Sequence, residues 1–171
     1  DYEIVGELTQ KGGMGTLWVA KIISEPEREV IIKFAKKDSD YALTKLKDEA
    51  QHLEDFICRL IVGYVDQSKE GADEFFLVME RLVGADLQDK ITRQGGAKKG
   101  FDEKTVIKFS RDIAQTLHYL HGCRDLRPNE KGEREVGLKH RDLNPKNIVI
   151  TEQNGKYQFG EERAILIDFG I

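Results

Sequence analysis

The stretch that most restricts this chain lies near its C-terminal end: Lys139-His140-Arg141-Asp142-Leu143-Asn144-Pro145-Lys146-Asn147-Ile148-Val149-Ile150. A polar turn runs straight into an apolar, β-branched strand, and a second acidic signal, Ile167-Asp168-Phe169-Gly170, follows one hairpin later. An Asp at position 142 can orient a hydroxyl nucleophile. Asn147 and Asp168 offer hard oxygen ligands of the kind that hold Mg²⁺ against phosphates. The plain alternative is a polar turn before a strand. Eight ordered positions followed by Asp168-Phe169-Gly170 make coincidence a poor explanation.

Upstream, the first third of the chain is strand-like. Residues 2–8 form a short β-prone run, Gln10-Lys11-Gly12-Gly13-Met14-Gly15 reads as a glycine turn, and residues 16–23 form a second strand rich in β-branched and aromatic side chains. Ser24-Glu25-Pro26-Glu27 is expected to break the pattern before a third strand at 29–34, where Val30, Ile31 and Ile32 precede Lys33. Leu46, Ala50, Leu53, Ile57 and Leu60 then recur at helical spacing, with Asp38, Ser39 and Asp40 as N-cap candidates and Glu49 on a flank of the stripe. Two further strands are expected at 61–66 and 74–80. Five strands and one helix thus occupy about the first 80 residues.

After Val83 the pattern turns helical. A short helix is expected over 86–94, stopped by Gly95-Gly96, and Lys98-Lys99-Gly100 is a basic loop. Asp102 caps a long helix with Glu103 in its first turn and Val106, Ser110, Ile113, Leu117 and Leu120 on one face. Residues 124–137 are highly charged and read as an exposed excursion. Within them Arg124-Asp125-Leu126-Arg127-Pro128-Asn129 imitates the key stretch but lacks its His and its following strand. Residues 148–151 and 164–167 are expected to pair as a hairpin. No internal repeat or low-complexity tract appears.

Totals exclude several functions. A net charge of −4 leaves no electrostatic footprint for nucleic acid or an anionic membrane. No apolar run reaches transmembrane length, and no secretory leader is visible after Asp1, so cytoplasm is the default location. The absence of an initiator Met is read as a processing or cloning boundary. Cys58 and Cys123 lack metal-ligand spacing and read as reduced thiols.

These residues together resemble the protein kinase family, over nearly the whole chain and in the family's motif order. Residues 11–20 are similar to the glycine-rich loop, Val30-Ile31-Ile32-Lys33 to the third-strand lysine motif, residues 140–147 to the catalytic loop, and Asp168-Phe169-Gly170 to the metal-binding motif. A dinucleotide-binding fold would need a helix directly after the glycines, and a strand follows instead. The resemblance implies an α+β, two-lobed kinase-like fold: a five-stranded antiparallel N-lobe sheet with one helix (1–79), a hinge (80–85) and the first part of a mainly helical C-lobe (86–171). It implies ATP and Mg²⁺ as cofactors and a protein as substrate.

The resemblance also assigns roles. Gln10, Lys11, Gly12, Gly13, Met14 and Gly15 would cover the phosphates. Lys33, held by Glu49 rather than by the solvated Glu54, would bind the α- and β-phosphates. Asp142 would take or orient the substrate hydroxyl proton, and Asn147 and Asp168 would hold Mg²⁺. Leu17 and Ile31 would roof the adenine and Val149 floor it, although plain core packing explains all three equally well. Met79 would sit behind, Glu80 to Leu82 would offer backbone hydrogen bonds, and Asp86 would meet the ribose. His140 and Phe169 would pack, forming with Leu53 an apolar spine.

Four departures from the family pattern stand out. Gln10 replaces the first loop glycine, which loosens phosphate cover, and Ile31 replaces a small Ala, which crowds the adenine. Asn144 stands where serine/threonine kinases place a lysine. Lys146 is then either a substitute that reaches the γ-phosphate or a solvated loop charge. The chain also ends at Ile171, so the activation segment and later helices are expected to lie outside it, with the fragment inactive alone. The reading adopted is an ATP- and Mg²⁺-dependent protein kinase of bacterial serine/threonine type. A small-molecule phosphotransferase and a nucleotide-binding pseudokinase are the alternatives. Arg141, before Asp142, is expected to pair with a phosphorylated activation segment.

Overall fold

The computed structural model describes residues 1–8, 15–69, 72, 74–94, 100–122, 124–128, 134–155 and 157–169, giving only the backbone path at 124–128 and 134–136. The chain divides into two compact units, one of Asp1–Ile57 and Val62–Leu82, the other of Cys58–Ile61 and Val83–Ile171.

In the first unit, β1 (Tyr2–Leu8), β2 (Gly15–Ile22), β3 (Glu25–Ala35), β4 (Tyr64–Gln67) and β5 (Phe76–Glu80) form one antiparallel sheet in the order β1-β2-β3-β5-β4. Strand alternation separates its two faces. Ala20, Val30, Ile32 and Val78 form a core cluster on one face, with Tyr2, Ile22, Phe34, Val65 and Phe76 packed against it. Cross-strand partners Leu17, Lys33 and Leu77, and beside them Val19, Ile31 and Met79, share the other face. Gly15 pairs with Ala35, and a Cβ there would lie 1.9 Å from the Phe34 carbonyl oxygen, so the strand pairing itself demands glycine.

The third strand starts earlier than expected. The chain turns at 23–24, and Pro26 falls where the β2–β3 register shifts, so its missing N–H costs no ladder bond. β4 starts at Tyr64 rather than Ile61, which makes a lone parallel bridge to Leu166 within the second unit.

Helix α1 (Asp40–Asp55) is capped by Ser39, whose Oγ accepts the Ala42 N–H at 3.2 Å. Its buried stripe stops at Leu53, because Phe56 turns extended and returns its N–H to the Leu53 carbonyl. Ile57, expected on that stripe, is 90% exposed beyond the helix, and Leu60 is buried in the second unit.

The second unit contains β6 (Gly84–Asp86), α2 (Leu87–Arg93), α3 (Glu103–Gly122), β7 (Arg124–Pro128), β8 (Arg134–Val136), a 3-10 turn (Pro145–Asn147), β9 (Ile148–Asn154) and β10 (Tyr157–Leu166). The β9–β10 hairpin is longer than expected, and β6 adds an unforeseen third strand, order β10-β9-β6. Gly84 permits that pairing, since a Cβ would stand 2.2 Å from the Ile150 carbonyl oxygen. Phe109, Ile148, Ile150 and Ala164 make the core, flanked by Leu87, Phe101 and Ile113.

Helix α3 buries Phe109, Asp112, Thr116 and Leu120; of the expected face Leu120 is buried and Ile113 packs on the core, whereas Val106 is 47% exposed and Ser110 is exposed, so the buried stripe is rotated at the start of the helix. The reason is an ion pair. Arg163 Nη2 lies 2.6 Å from Asp112 Oδ1, Arg163 Nε donates to both carboxylate oxygens, and the Ala164 N–H donates to Oδ2 at 3.0 Å. A charged residue at the centre of a buried stripe hides that stripe from a count of apolar positions.

The expected charged excursion is a two-stranded antiparallel ribbon, β7 with β8, pairing Arg124 with Val136 and Pro128 with Arg134. Among the described residues, no helix is long and apolar enough to cross a membrane.

Candidate active site

The first unit places Lys33 and Glu49 in contact. β3 alternation sends Lys33 to the face shared with Leu17 and Ile31, and α1 turns Glu49 inward on its buried side. Lys33 Nζ lies 2.8 Å from Glu49 Oε2, and the two side chains are only 12% and 4% exposed. Such a lysine is a compact charge whose position is set by its carboxylate.

Met79 is buried in β5. The Glu80 N–H is spent on the Gly63 carbonyl at 2.8 Å, so its carbonyl is what remains of the expected backbone contacts at that residue. The Glu80 carboxylate accepts from Arg28 Nη2 at 2.5 Å, a bond that raises the guanidinium pKa further. Leu82 is half-buried. Gln10, Lys11, Gly12, Gly13 and Met14 lie outside the described residues.

The second unit assembles the remaining positions. Asp142 is exposed, and two side-chain amides hold it. Asn147 Nδ2 donates to Asp142 Oδ2 at 2.8 Å and to its carbonyl at 2.9 Å. Asn144 Nδ2 donates to Oδ1 at 3.0 Å and to the same carbonyl at 3.2 Å.

Ile167 staples the segment through its backbone. Its N–H donates to the Asn147 carbonyl at 3.0 Å, and its carbonyl lies 3.1 Å from His140 Nε2. Asp168 therefore begins one residue beyond a bond to Asn147. Arg141 and Asp168 both adopt positive φ, 61° and 58°, a sparsely populated conformation for non-glycine residues that costs on the order of 1 kcal/mol or more each.

His140 packs its ring 4.7 Å from that of Phe169. Burial lowers its pKa, its Nε2–H donates to Ile167, and its Nδ1 has no hydrogen-bond partner among the described residues. It is a neutral, packed imidazole. Asp86 and Val149 are cross-strand partners between β6 and β9, and Asp86 also caps α2, its Oδ1 accepting from the Asp89 N–H at 2.7 Å. Lys146 is exposed on the 3-10 turn. Leu53, placed by sequence in one spine with His140 and Phe169, is 2% exposed in the first unit.

A family model described as protein kinase domain matches residues 4–171. The chain belongs to the protein kinase family. It is 24% identical over its whole length to calcium/calmodulin-dependent protein kinase type 1 of Macrobrachium nipponense, covering 43% of that protein. It is 28% identical over 94% of its length to the serine/threonine-protein kinase drp72 of Corynebacterium efficiens, covering 27%. It is also 27% identical over 99% of its length to the tyrosine-protein kinase MasK of Myxococcus xanthus, covering 25%. The kinase chain thus spans less than half the length of these relatives.

Kinase membership implies ATP binding with a metal ion. Among the described residues no group of three or more His, Cys, Asp or Glu could hold one. The kinase pair Asn147 and Asp168 fits a hard cation nonetheless. With Asn147 Nδ2 committed to Asp142, its amide oxygen is the end left for a ligand, and a phosphate-bound Mg²⁺ takes only one or two protein oxygens.

In sequence Asn144 shows only as a departure from the family's lysine, and neither Asp112 nor Arg163 stands out. The Asn144-Pro145 order is itself a cap signal, an Asx residue before a proline at the first helical position. It could have shown that Asn144 has a local role.

Proposed function

We propose that the chain is the nucleotide-binding and catalytic-loop portion of an ATP- and Mg²⁺-dependent protein kinase that phosphorylates serine or threonine hydroxyls. The observation that carries this reading is the exposed Asp142 carboxylate, held on both oxygens by amide N–H groups beside Asn147. In this reading the substrate hydroxyl oxygen attacks the γ-phosphorus as its proton passes to Asp142. The bond to the β,γ-bridging oxygen breaks and ADP leaves.

Lys33, fixed by Glu49, binds the α- and β-phosphate oxygens. Leu17, Ile31, Met79 and Val149 contact the adenine, the segment 80–85 acts as hinge, the Glu80 carbonyl accepts from the base, and Asp86 meets the ribose. Asn147 and Asp168 hold Mg²⁺, which when bound neutralises phosphate charge. Lys146 reaches toward the γ-phosphate.

The test is transfer of label from γ-labelled ATP by the full-length protein, offered protein acceptors in one arm and small alcohols and amines in another. Label should enter protein serine or threonine and fall at least about a hundredfold in Asp142→Asn, with KM for ATP little changed. Transfer to small acceptors alone would establish a small-molecule phosphotransferase. Failure of any Asp142-dependent transfer would establish a binding module.

A further inference from the structure

We infer that Asn144 is a positioning residue for the Asp142 carboxylate, a neutral amide clamp; the inference rests on the function proposed above. Asn144 makes three directed bonds. Its Nδ2 donates to Asp142 Oδ1 at 3.0 Å and to the Asp142 carbonyl at 3.2 Å, and its Oδ1 accepts the Lys146 N–H at 2.9 Å.

Their chemistry fixes the amide's orientation. A backbone N–H can only donate, and an ionised carboxylate can only accept. Oδ1 must therefore face Lys146 and Nδ2 must face Asp142. The other end of Asn144 is anchored by the turn, for Asn144 is its N-cap, Pro145 follows, and the Asn147 N–H returns to the Asn144 carbonyl at 3.0 Å.

The clamp is paired. Asn147 grips Oδ2 and the Asp142 carbonyl from one side, and Asn144 grips Oδ1 and the same carbonyl from the other. Each carboxylate oxygen keeps a further lone pair, and Asp142 is exposed, so an approaching hydroxyl still finds an acceptor. Two amide N–H donors, one on each oxygen, fix the carboxylate in direction without placing a formal charge beside it. Asn144 touches neither nucleotide nor acceptor in this scheme and acts through Asp142.

Asn144→Asp separates this role from capping. The new carboxylate still accepts the Lys146 N–H, so the turn stays capped, but it cannot donate to Asp142 and sets a like charge against it. In the full-length protein kcat should fall about tenfold, part of the roughly 10²–10⁴ that a positioned base supplies, while KM for ATP stays within about twofold. Asn144→Lys, which supplies an N–H donor but no acceptor for the turn, should recover most of kcat, again with KM for ATP little changed.

A parallel NMR reading of the Asn144 side-chain amide needs no turnover: its Nδ2 protons should be shifted and slow to exchange in the wild type and lose both features in Asp142→Ala. Unchanged kcat in Asn144→Asp, or an Asn144 amide that does not respond to Asp142→Ala, would overturn the clamp. A wild-type protein that transfers no phosphate while its Asn144 amide still responds to Asp142→Ala would instead overturn the proposed kinase activity and leave the clamp standing.

Discussion

Each unit contains a buried ion pair between a strand and a helix, and the two are made differently. Asp112 and Arg163 are joined by a planar fork, with three N–H···O bonds from the guanidinium and a fourth from the Ala164 backbone, and Asp112 is 1% exposed. Lys33 meets Glu49 through a single oxygen at 2.8 Å, on a flexible four-carbon stem. The first geometry saturates a carboxylate and locks α3 to β10. The second sets a point charge on the sheet face shared by Leu17 of β2 and Ile31 of β3, held by one contact and less rigid than the fork. Lys33 and Glu49 could be named from sequence as a candidate pair because the residues around them resemble the family's motifs. Asp112 and Arg163 could not, because only packing calls for them.

This contrast sets an order of expected effects. Arg163→Met should be the most damaging, stranding a buried carboxylate at a cost of about 3–5 kcal/mol, read as a lowered denaturant midpoint. Adding Asp112→Leu should recover most of that loss, since the stranded charge is then gone. If the single variant melts like wild type, the fork is not structural.

Glu49→Gln should cost less, about 2 kcal/mol, because one charge-assisted contact is replaced by a neutral one. It should also weaken ATP binding, measurable by calorimetry, whereas Arg163→Met in its folded fraction should bind ATP normally. Equal effects of both variants on ATP affinity would erase the distinction between the pairs.

Ser39→Ala removes the cap of the helix that carries Glu49 and should cost about 1 kcal/mol by the same denaturant measurement. Ser39→Asp, which keeps an acceptor at the cap, should be near neutral.

The smallest effect concerns His140. Burial lowers its folded-state pKa below the usual 6.5, so below that value the unfolded chain binds the proton more readily than the folded one. Its contribution is fully present above pH 6.5 and is lost as pH falls through the lowered folded value. The melting temperature should therefore drop between pH 7 and pH 5, and His140→Phe should flatten that slope. An unchanged slope in the variant would assign the acid sensitivity elsewhere.

Much of the fold was legible because period and chemistry agreed. Strand alternation around Val30, Ile32 and Lys33 and the stripe from Leu46 to Leu53 each mark an element locally. Boundaries were less legible. Ile57 and Leu60 continue the apolar spacing of α1, and only the extended backbone at Phe56 ends it. β6 is a three-residue strand whose existence depends on β9 lying beside it, and Gly84 gains a reason only from the Ile150 carbonyl.

The candidate site divides in the same way. Local sequence offers Lys33, Asp142, Asn147 and Asp168 as candidates, because their motifs resemble those of the family in residue type and spacing. The identity of Glu49 as Lys33's partner follows from one helix face meeting one strand face. What Asn144 touches is decided only by three-dimensional contact. From sequence it is a missing lysine, and in the folded chain its amide has both ends fixed by Lys146 and Asp142. Directed hydrogen bonds depend on where a turn places two side chains to within a fraction of an ångström, and residue order alone does not specify that. Periodic burial does, because it repeats with the backbone, and so the elements were written in the sequence while the partners within the site were decided by the tertiary structure.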